Sequence, residues 1–156
     1  MRVVLPDEAA TNRLAQQVWD ALPADLTGWI VLLDGELGSG KSTFARALIK
    51  AAGHDGAVPS PTYTLVEPYA VSGVRLYHVD LYRISDEEEL QYLGWDELGD
   101  GCRLVEWPDR APGLAGHADL SLTFTYAGAG REAQVHALSD RGRSVVVTLA
   151  SADSED

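Results

Sequence analysis

The stretch Gly35-Glu36-Leu37-Gly38-Ser39-Gly40-Lys41-Ser42 constrains the fold more than any other part of the chain. Before it runs Trp29-Ile30-Val31-Leu32-Leu33-Asp34, a short unbroken apolar segment of the kind that forms a strand covered on both faces of a parallel sheet. After it, Phe44, Ala45, Leu48 and Ile49 recur at helical spacing within 42–52, and Gly53 closes that helix. A glycine-rich turn between a buried strand and a helix, with the pattern G-x-x-x-x-G-K-[ST], is built to hold phosphate. Glycine allows positive φ and brings backbone N–H groups against an anion without a Cβ in the way. The helix that follows aims its free N–H groups and the positive end of its dipole at the same point. Lys41 supplies a cation to the β- and γ-phosphates, and the Ser42 hydroxyl is placed to ligate Mg2+. Gly38, Ser39, Gly40, Lys41, Ser42 and Thr43 are therefore the candidate binding residues for ATP or GTP. Thr43 either backs up Ser42 or simply faces along the helix. Asp34 is read as shaping the turn.

The remaining pattern is that of one α/β domain: a mixed sheet with flanking helices, of the P-loop nucleotide-hydrolase type, over residues 1–150. Asp7 caps a helix over 8–22 whose apolar face carries Leu14, Val18 and Leu22. Segments 64–69 and 74–81 flank Ser72-Gly73 and predict an antiparallel hairpin. Residues 86–93 read as an acidic helix with Ser85 as N-cap and Glu88 completing a capping box. Arg103-Leu104-Val105-Glu106 reads as a second short buried strand that ends before Pro108. Segments 119–126, 132–138 and 144–149 read as strands closing the sheet, and 151–156 as a disordered acidic tail.

Charge narrows the partners. Against 12 Lys+Arg stand 24 Asp+Glu, a formal charge of −12, and lysine occurs only at positions 41 and 50. Affinity for nucleic acid comes largely from Lys and Arg replacing counterions, so strong direct binding of nucleic acid is not expected. No apolar run approaches the length of a membrane span, and the acidic Asp7-Glu8 pair stands where a signal peptide needs its apolar stretch. The expected location is the cytoplasm. A lone Cys102 in an apolar stretch reads as a buried structural thiol. His54 and His78, with no spacing that pairs them with metal donors, read as polar surface residues, and Trp29 and Trp95 as packing.

A phosphate loop of this kind works with a carboxylate at the tip of a neighbouring strand, which holds hydrated Mg2+ or polarises water. Two residues fit that placement, Asp80 in Tyr77-His78-Val79-Asp80-Leu81-Tyr82-Arg83 and Glu106 in Leu104-Val105-Glu106-Trp107. Pattern alone does not choose between them.

Taken together, the phosphate loop, Ser60-Pro61-Thr62-Tyr63-Thr64-Leu65-Val66-Glu67, the segment 77–83, the acidic Glu87–Leu90 stretch and Leu104-Val105-Glu106-Trp107-Pro108 resemble the TsaE (YjeE) family in order and spacing. Ser42 stands where many members have threonine, an interchangeable hydroxyl. The resemblance implies an ATPase of bacterial tRNA threonylcarbamoyladenosine biosynthesis, weak alone and acting with the carbamoyltransferase subunits TsaD and TsaB, which do the tRNA chemistry. It further implies that Lys41 and the 38–43 backbone bind phosphates and that Ser42 binds Mg2+. Thr62 would lie in a loop resembling a GTPase switch and sense the γ-phosphate. Asp80 and Glu106 would form the acidic pair at the metal and attacking water, with Trp107 a functional neighbour.

Rival readings are a small-molecule kinase, which needs an arginine-rich lid that the dispersed Arg131, Arg141 and Arg143 do not suggest, and a GTPase switch, disfavoured because no N-K-x-D segment reads guanine. A nucleotide-binding structural protein is the third.

Overall fold

In the computed structural model, residues 1–153 are described. The elements in chain order are β1 (Arg2–Leu5), α1 (Glu8–Ala21), β2 (Ile30–Gly35), α2 (Lys41–Ala51), β3 (Val66–Val71), β4 (Val74–Asp80), β5 (Cys102–Glu106), β6 (Leu120–Ala127), β7 (Gly130–Ala137) and α3 (Asp140–Asp153). Short 3₁₀ turns, Glu87–Leu93, Trp95–Asp100, Pro108–Arg110 and Pro112–Gly116, fill the stretches around β5. The seven strands form one sheet in the order β1-β7-β6-β2-β5-β4-β3. Its centre is parallel, with β2 between β5 and β6 and β4 beside β5, while both edges close with antiparallel pairs.

Strand alternation sorts the core onto two faces. Val31 and Leu33 of β2, Leu104 of β5 and Leu120, Leu122 and Phe124 of β6 pack with Leu14, Val18, Phe44 and Leu48 from the helices. Ile30, Leu32, Val79 and Val105 turn the other way, beneath the 3₁₀ segments carrying Leu90 and Leu114. Trp29 is buried in the first of these clusters, and Trp95 packs against the second. Cys102 is fully enclosed, and burial pushes its thiol up to about 12, a structural group without reactivity.

Several expectations hold. Asp7 caps α1 by accepting from the Ala10 N–H at 2.9 Å. Ser72 and Gly73 both take positive φ, 50° and 77°, which matches the twist of a tight β3–β4 hairpin.

Three expectations are corrected. Residues 144–149 belong to helix α3: Val145 and Leu149, one helical turn apart, are buried while Val147 is 59% exposed, the reverse of what a strand would do with 145 and 147. The run of three valines is overridden by packing at the helix start. A Cβ on Gly142 would lie 1.9 Å from the Asp119 carbonyl oxygen, and Arg141 grips the Asp119 carboxylate at 2.8 and 3.1 Å. Second, 87–93 is a 3₁₀ turn instead of an α-helix, and its capping box starts one residue later than expected, with Asp86 accepting from Glu88 N–H and Glu89 reaching back to Asp86 N–H. The left-handed Gly94 at φ 71° ends this segment. Third, the acidic tail expected from residue 151 begins inside α3, and 154–156 lie outside the described residues. The edge strand β1, paired with β7, had no counterpart in the sequence reading.

Candidate functional site

β2 ends in the loop, and α2 begins as the loop ends, so the phosphate-binding pattern sits above the carboxyl ends of the parallel strands, where open α/β sheets place their ligands. Gly35 takes φ 142°, and a Cβ there would lie 2.5 Å from both the Phe124 carbonyl oxygen and Ser39 Oγ, so no larger residue fits. Gly40 caps α2 at φ 120° and offers no side-chain hydrogen bond, leaving the first-turn N–H groups free of a side-chain acceptor. Asp34 shapes the turn as expected, its Oδ1 accepting from the Gly35 N–H at 2.8 Å.

Lys41 is nearly enclosed, 4% exposed. Its ammonium donates to the Gly35 carbonyl and, at 3.3 Å, to that of Glu36, and it lies 3.6 Å from the centre of the Trp107 ring. Burial pulls the Lys41 pKa below its ordinary value, and the carboxylates of Glu106, Asp34 and Asp80 push back against that. Trp107 follows β5 in the left-handed conformation, φ 58° and ψ 52°, a position that costs a residue with a Cβ about 1–2 kcal/mol. Tyr82 packs against the same indole at 5.0 Å between ring centres.

The two candidate carboxylates are neighbours. Asp80 and Glu106 sit opposite each other in the parallel register of β4 and β5, at the tips of both strands. Glu106 Oε1 accepts from Ser42 Oγ at 2.8 Å, and Oε2 from His78 Nε2 at 2.5 Å. Asp80 Oδ1 accepts from the Tyr82 N–H at 2.9 Å and Oδ2, more loosely, from Thr62 Oγ1 at 3.4 Å. Thr62 Oγ1 is also 2.7 Å from Ser60 Oγ. Burial raises the Asp80 pKa above its ordinary value, and the nearby Glu106 adds to the rise. Gly38, Lys41, Ser42, Ser60, Thr62, Asp80, Tyr82, Glu106 and Trp107 thus line one cleft of about 260 Å³.

Of the expected site residues, Gly40 and Thr43 do not line this cleft; with Gly38 they line a second cavity of about 240 Å³, walled by Pro6, Thr11 and Arg131. Ser39 is buried, and its Oγ has no partner among the described residues. His78 is no surface residue; it is 1% exposed and bonded to Glu106. The alternation signal was available, since His78 and Asp80 are two apart on one strand and so share a face. His54 is half-buried, its ring 4.8 Å from that of Tyr69. Sequence reading also missed the end of the β6–β7 hairpin. Tyr126 Oη donates to the Leu37 carbonyl at 2.8 Å and Arg131 Nε to that of Gly38 at 3.2 Å, so two peptide groups of the loop are held from outside. A bond from a hairpin that returns some 90 residues later leaves no local trace.

The sheet order and the loop define an α/β protein of the phosphate-loop class. The family model for "Threonylcarbamoyl adenosine biosynthesis protein TsaE" matches residues 5–134, and the chain belongs to the TsaE family. It is 35% identical over 146 residues to the tRNA threonylcarbamoyladenosine biosynthesis protein TsaE of Haemophilus influenzae, covering 91% of this chain and 92% of that one. The protein of the same name from Synechocystis is 39% identical over 119 residues, covering 73% and 74%. The crystal structure of Bacillus subtilis YdiB superposes with a TM-score of 0.79 at 25% identity, over 98% of this chain and 95% of that one. Among the described residues no helix is long and apolar enough to cross a membrane.

Proposed function

We propose that this chain binds ATP with Mg2+ in the Lys41 cleft and hydrolyses it to ADP, slowly alone and faster with TsaD and TsaB homologues, as an accessory of tRNA threonylcarbamoyladenosine modification in the cytoplasm. The observation that carries this reading is the convergence of a buried lysine, the Ser42 hydroxyl and two strand-tip carboxylates on one cleft beside a helix N-terminus.

The donor set fits magnesium. Ser42, Glu106 and Asp80 offer hard oxygen ligands, and a nucleotide's magnesium needs only one or two groups from the protein besides phosphate oxygens and water. Bound there, the ion would neutralise charge on the β- and γ-phosphates. Ser42 and Glu106, already in contact, would hold it most directly, with Asp80 beside them. Lys41 would turn from the loop carbonyls and the Trp107 face to the phosphates. Thr62, loosely bonded to Asp80, is free to follow the γ-phosphate. The adenosine end would run past Thr43 into the second cavity, toward Thr11 and Arg131.

The kinase alternative loses ground on geometry. Arg141 is committed to Asp119, Arg143 to Asp140 and Arg131 to the loop backbone, so among the described residues no arginine after position 110 forms a lid over the cleft. The cleft is instead lined by Leu37, 81% exposed, and Tyr82, and next in sequence to its lining residue Thr62 stands Tyr63, 84% exposed, with Arg83 over the Tyr63 ring and Arg110 over Tyr82. Such an apolar and aromatic rim suits contact with protein partners, which would complete the site.

Titration calorimetry with Mg-ATP tests the reading. Lys41→Ala abolishes binding while the far-ultraviolet circular dichroism is unchanged; wild-type affinity in that variant would contradict the site.

A further inference from the structure

We propose that His78 is the positioning residue for Glu106, fixing the carboxylate against Ser42 so that both face a divalent cation; the proposal rests on the reading of Glu106 and Ser42 as the metal-binding pair. β4 places His78 on the same face as Asp80, one step deeper in the sheet and diagonal to Glu106, since His78 is registered with Leu104 and Asp80 with Glu106. Both members of the His78–Glu106 pair have side chains 2% exposed. Each carboxylate oxygen has its own partner, Oε1 taking the Ser42 hydroxyl at 2.8 Å and Oε2 the His78 ring at 2.5 Å. Rotation of the carboxylate about its last bond breaks both hydrogen bonds together, so the pair fixes its plane as well as its place.

The ring's other nitrogen decides which partner donates. His78 Nδ1 is buried with no hydrogen-bond partner among the described residues. A buried N–H without an acceptor is rarer and costlier than a bare acceptor lone pair, which assigns the ring proton to Nε2, donated to Glu106. His78 is 1% exposed and does not line the cleft, so it acts through Glu106. An apolar residue in its place leaves Oε2 buried without a donor, and the carboxylate relieves this by turning away from Ser42. Loss of groups that orient a metal's ligands in this way typically costs about 10–100-fold in metal affinity.

The test uses the isolated chain saturated with a non-hydrolysable ATP analogue and reads free Mn2+ by electron paramagnetic resonance. His78→Leu weakens Mn2+ binding by about 10–100-fold, the range for such supporting groups, while affinity for the metal-free analogue stays within about twofold. His78→Gln, whose amide N–H reaches roughly as far as Nε2, restores Mn2+ affinity to within about threefold of wild type. Unchanged Mn2+ affinity in His78→Leu overturns the proposal, as does His78→Gln binding as weakly as His78→Leu. If His78→Leu does not fold, His78→Gln decides alone, retention supporting the role and loss overturning it. Glu106→Gln separates the levels: unchanged Mn2+ affinity there overturns the metal role of Glu106 itself, and the proposal with it. Lost affinity in Glu106→Gln beside full affinity in His78→Leu overturns only the part given to His78.

Discussion

Glu106 and Asp80 look interchangeable in the sequence, two carboxylates at strand tips, but their surroundings give them different work. Glu106 has both oxygens taken by fixed donors, Ser42 and His78. Asp80 is held by one backbone N–H and by a threonine on the loop at 3.4 Å. On the proposed reading the fixed carboxylate is the metal's partner, and neutralising it would remove charge from the transition state. Glu106→Gln is therefore expected to lower single-turnover hydrolysis, measured with partners present, by about 10²-fold or more while nucleotide affinity changes far less. An unchanged rate would move the role to Asp80. Asp80 carries a different signature, a pKa raised chiefly by burial. Its folded value lies above its unfolded one, so the folded state holds the proton more tightly. Stability contributed by this group is complete below the unfolded pKa and is lost as pH rises through the folded pKa, which leaves a cost in place at neutral pH. Asp80→Asn removes that cost while keeping an oxygen for the Tyr82 N–H. Thermal unfolding in chelator is expected to show a higher Tm at pH 7, by roughly 2–4 °C per kcal/mol relieved, with the gain fading as pH falls through the raised pKa. A Tm lowered at pH 7 would mean that Asp80 stabilises the metal-free fold.

At the scale of elements, the phosphate loop is braced from a distance. Tyr126 and Arg131 come from the far end of the β6–β7 hairpin and hold the carbonyls of Leu37 and Gly38. Because a trans peptide points its N–H opposite its carbonyl, the Tyr126 bond fixes the direction of the Gly38 N–H. Tyr126→Phe keeps the ring and loses that bond, and is expected to weaken Mg-ATP binding by about threefold to tenfold in calorimetry, the equivalent of one hydrogen bond, with no fall in Tm. Equal affinity would show that the loop keeps its shape unaided. This brace also marks where sequence reading stops. β2, the loop and α2 were legible because each is specified locally, by an unbroken apolar run, glycines and a helical stripe. The Asp7 cap and the Ser72-Gly73 turn were legible for the same reason. Helix α3 was not, since Val145-Val146-Val147 favours a strand locally and only the close seating of Gly142 on Asp119 and the Arg141 grip make it a helix. Asp119 itself joins distant parts: burial would raise its pKa, but hydrogen bonds from Arg141, Ser139 and the Ile30 N–H outweigh that and hold it low. The burial of His78 likewise follows from sheet order, which puts β4 beside β5 instead of at an edge, and no local pattern states that order.

At the scale of the molecule, the proposed function pairs a phosphate cradle built by this chain with a catalytic site that partners would complete. Among the described residues the only cationic side chain lining the cleft is Lys41, while Arg110 rests over the ring of Tyr82, which lines it, and Arg83 over that of Tyr63. On the proposed reading, a formal charge of −12 would leave the tRNA to partners, and the exposed Leu37 and Tyr63 would offer them a surface beside the loop. A cation supplied in trans can raise phosphoryl transfer by about 10³–10⁵-fold. The measurement that bears most directly on this picture is steady-state ATP hydrolysis at fixed salt and Mg2+, with and without the TsaD and TsaB homologues. Slow turnover by the chain alone, a rise on adding both partners, and loss of that rise in Lys41→Ala are expected. Full turnover by the isolated chain, unaffected by the partners, would contradict the proposed function.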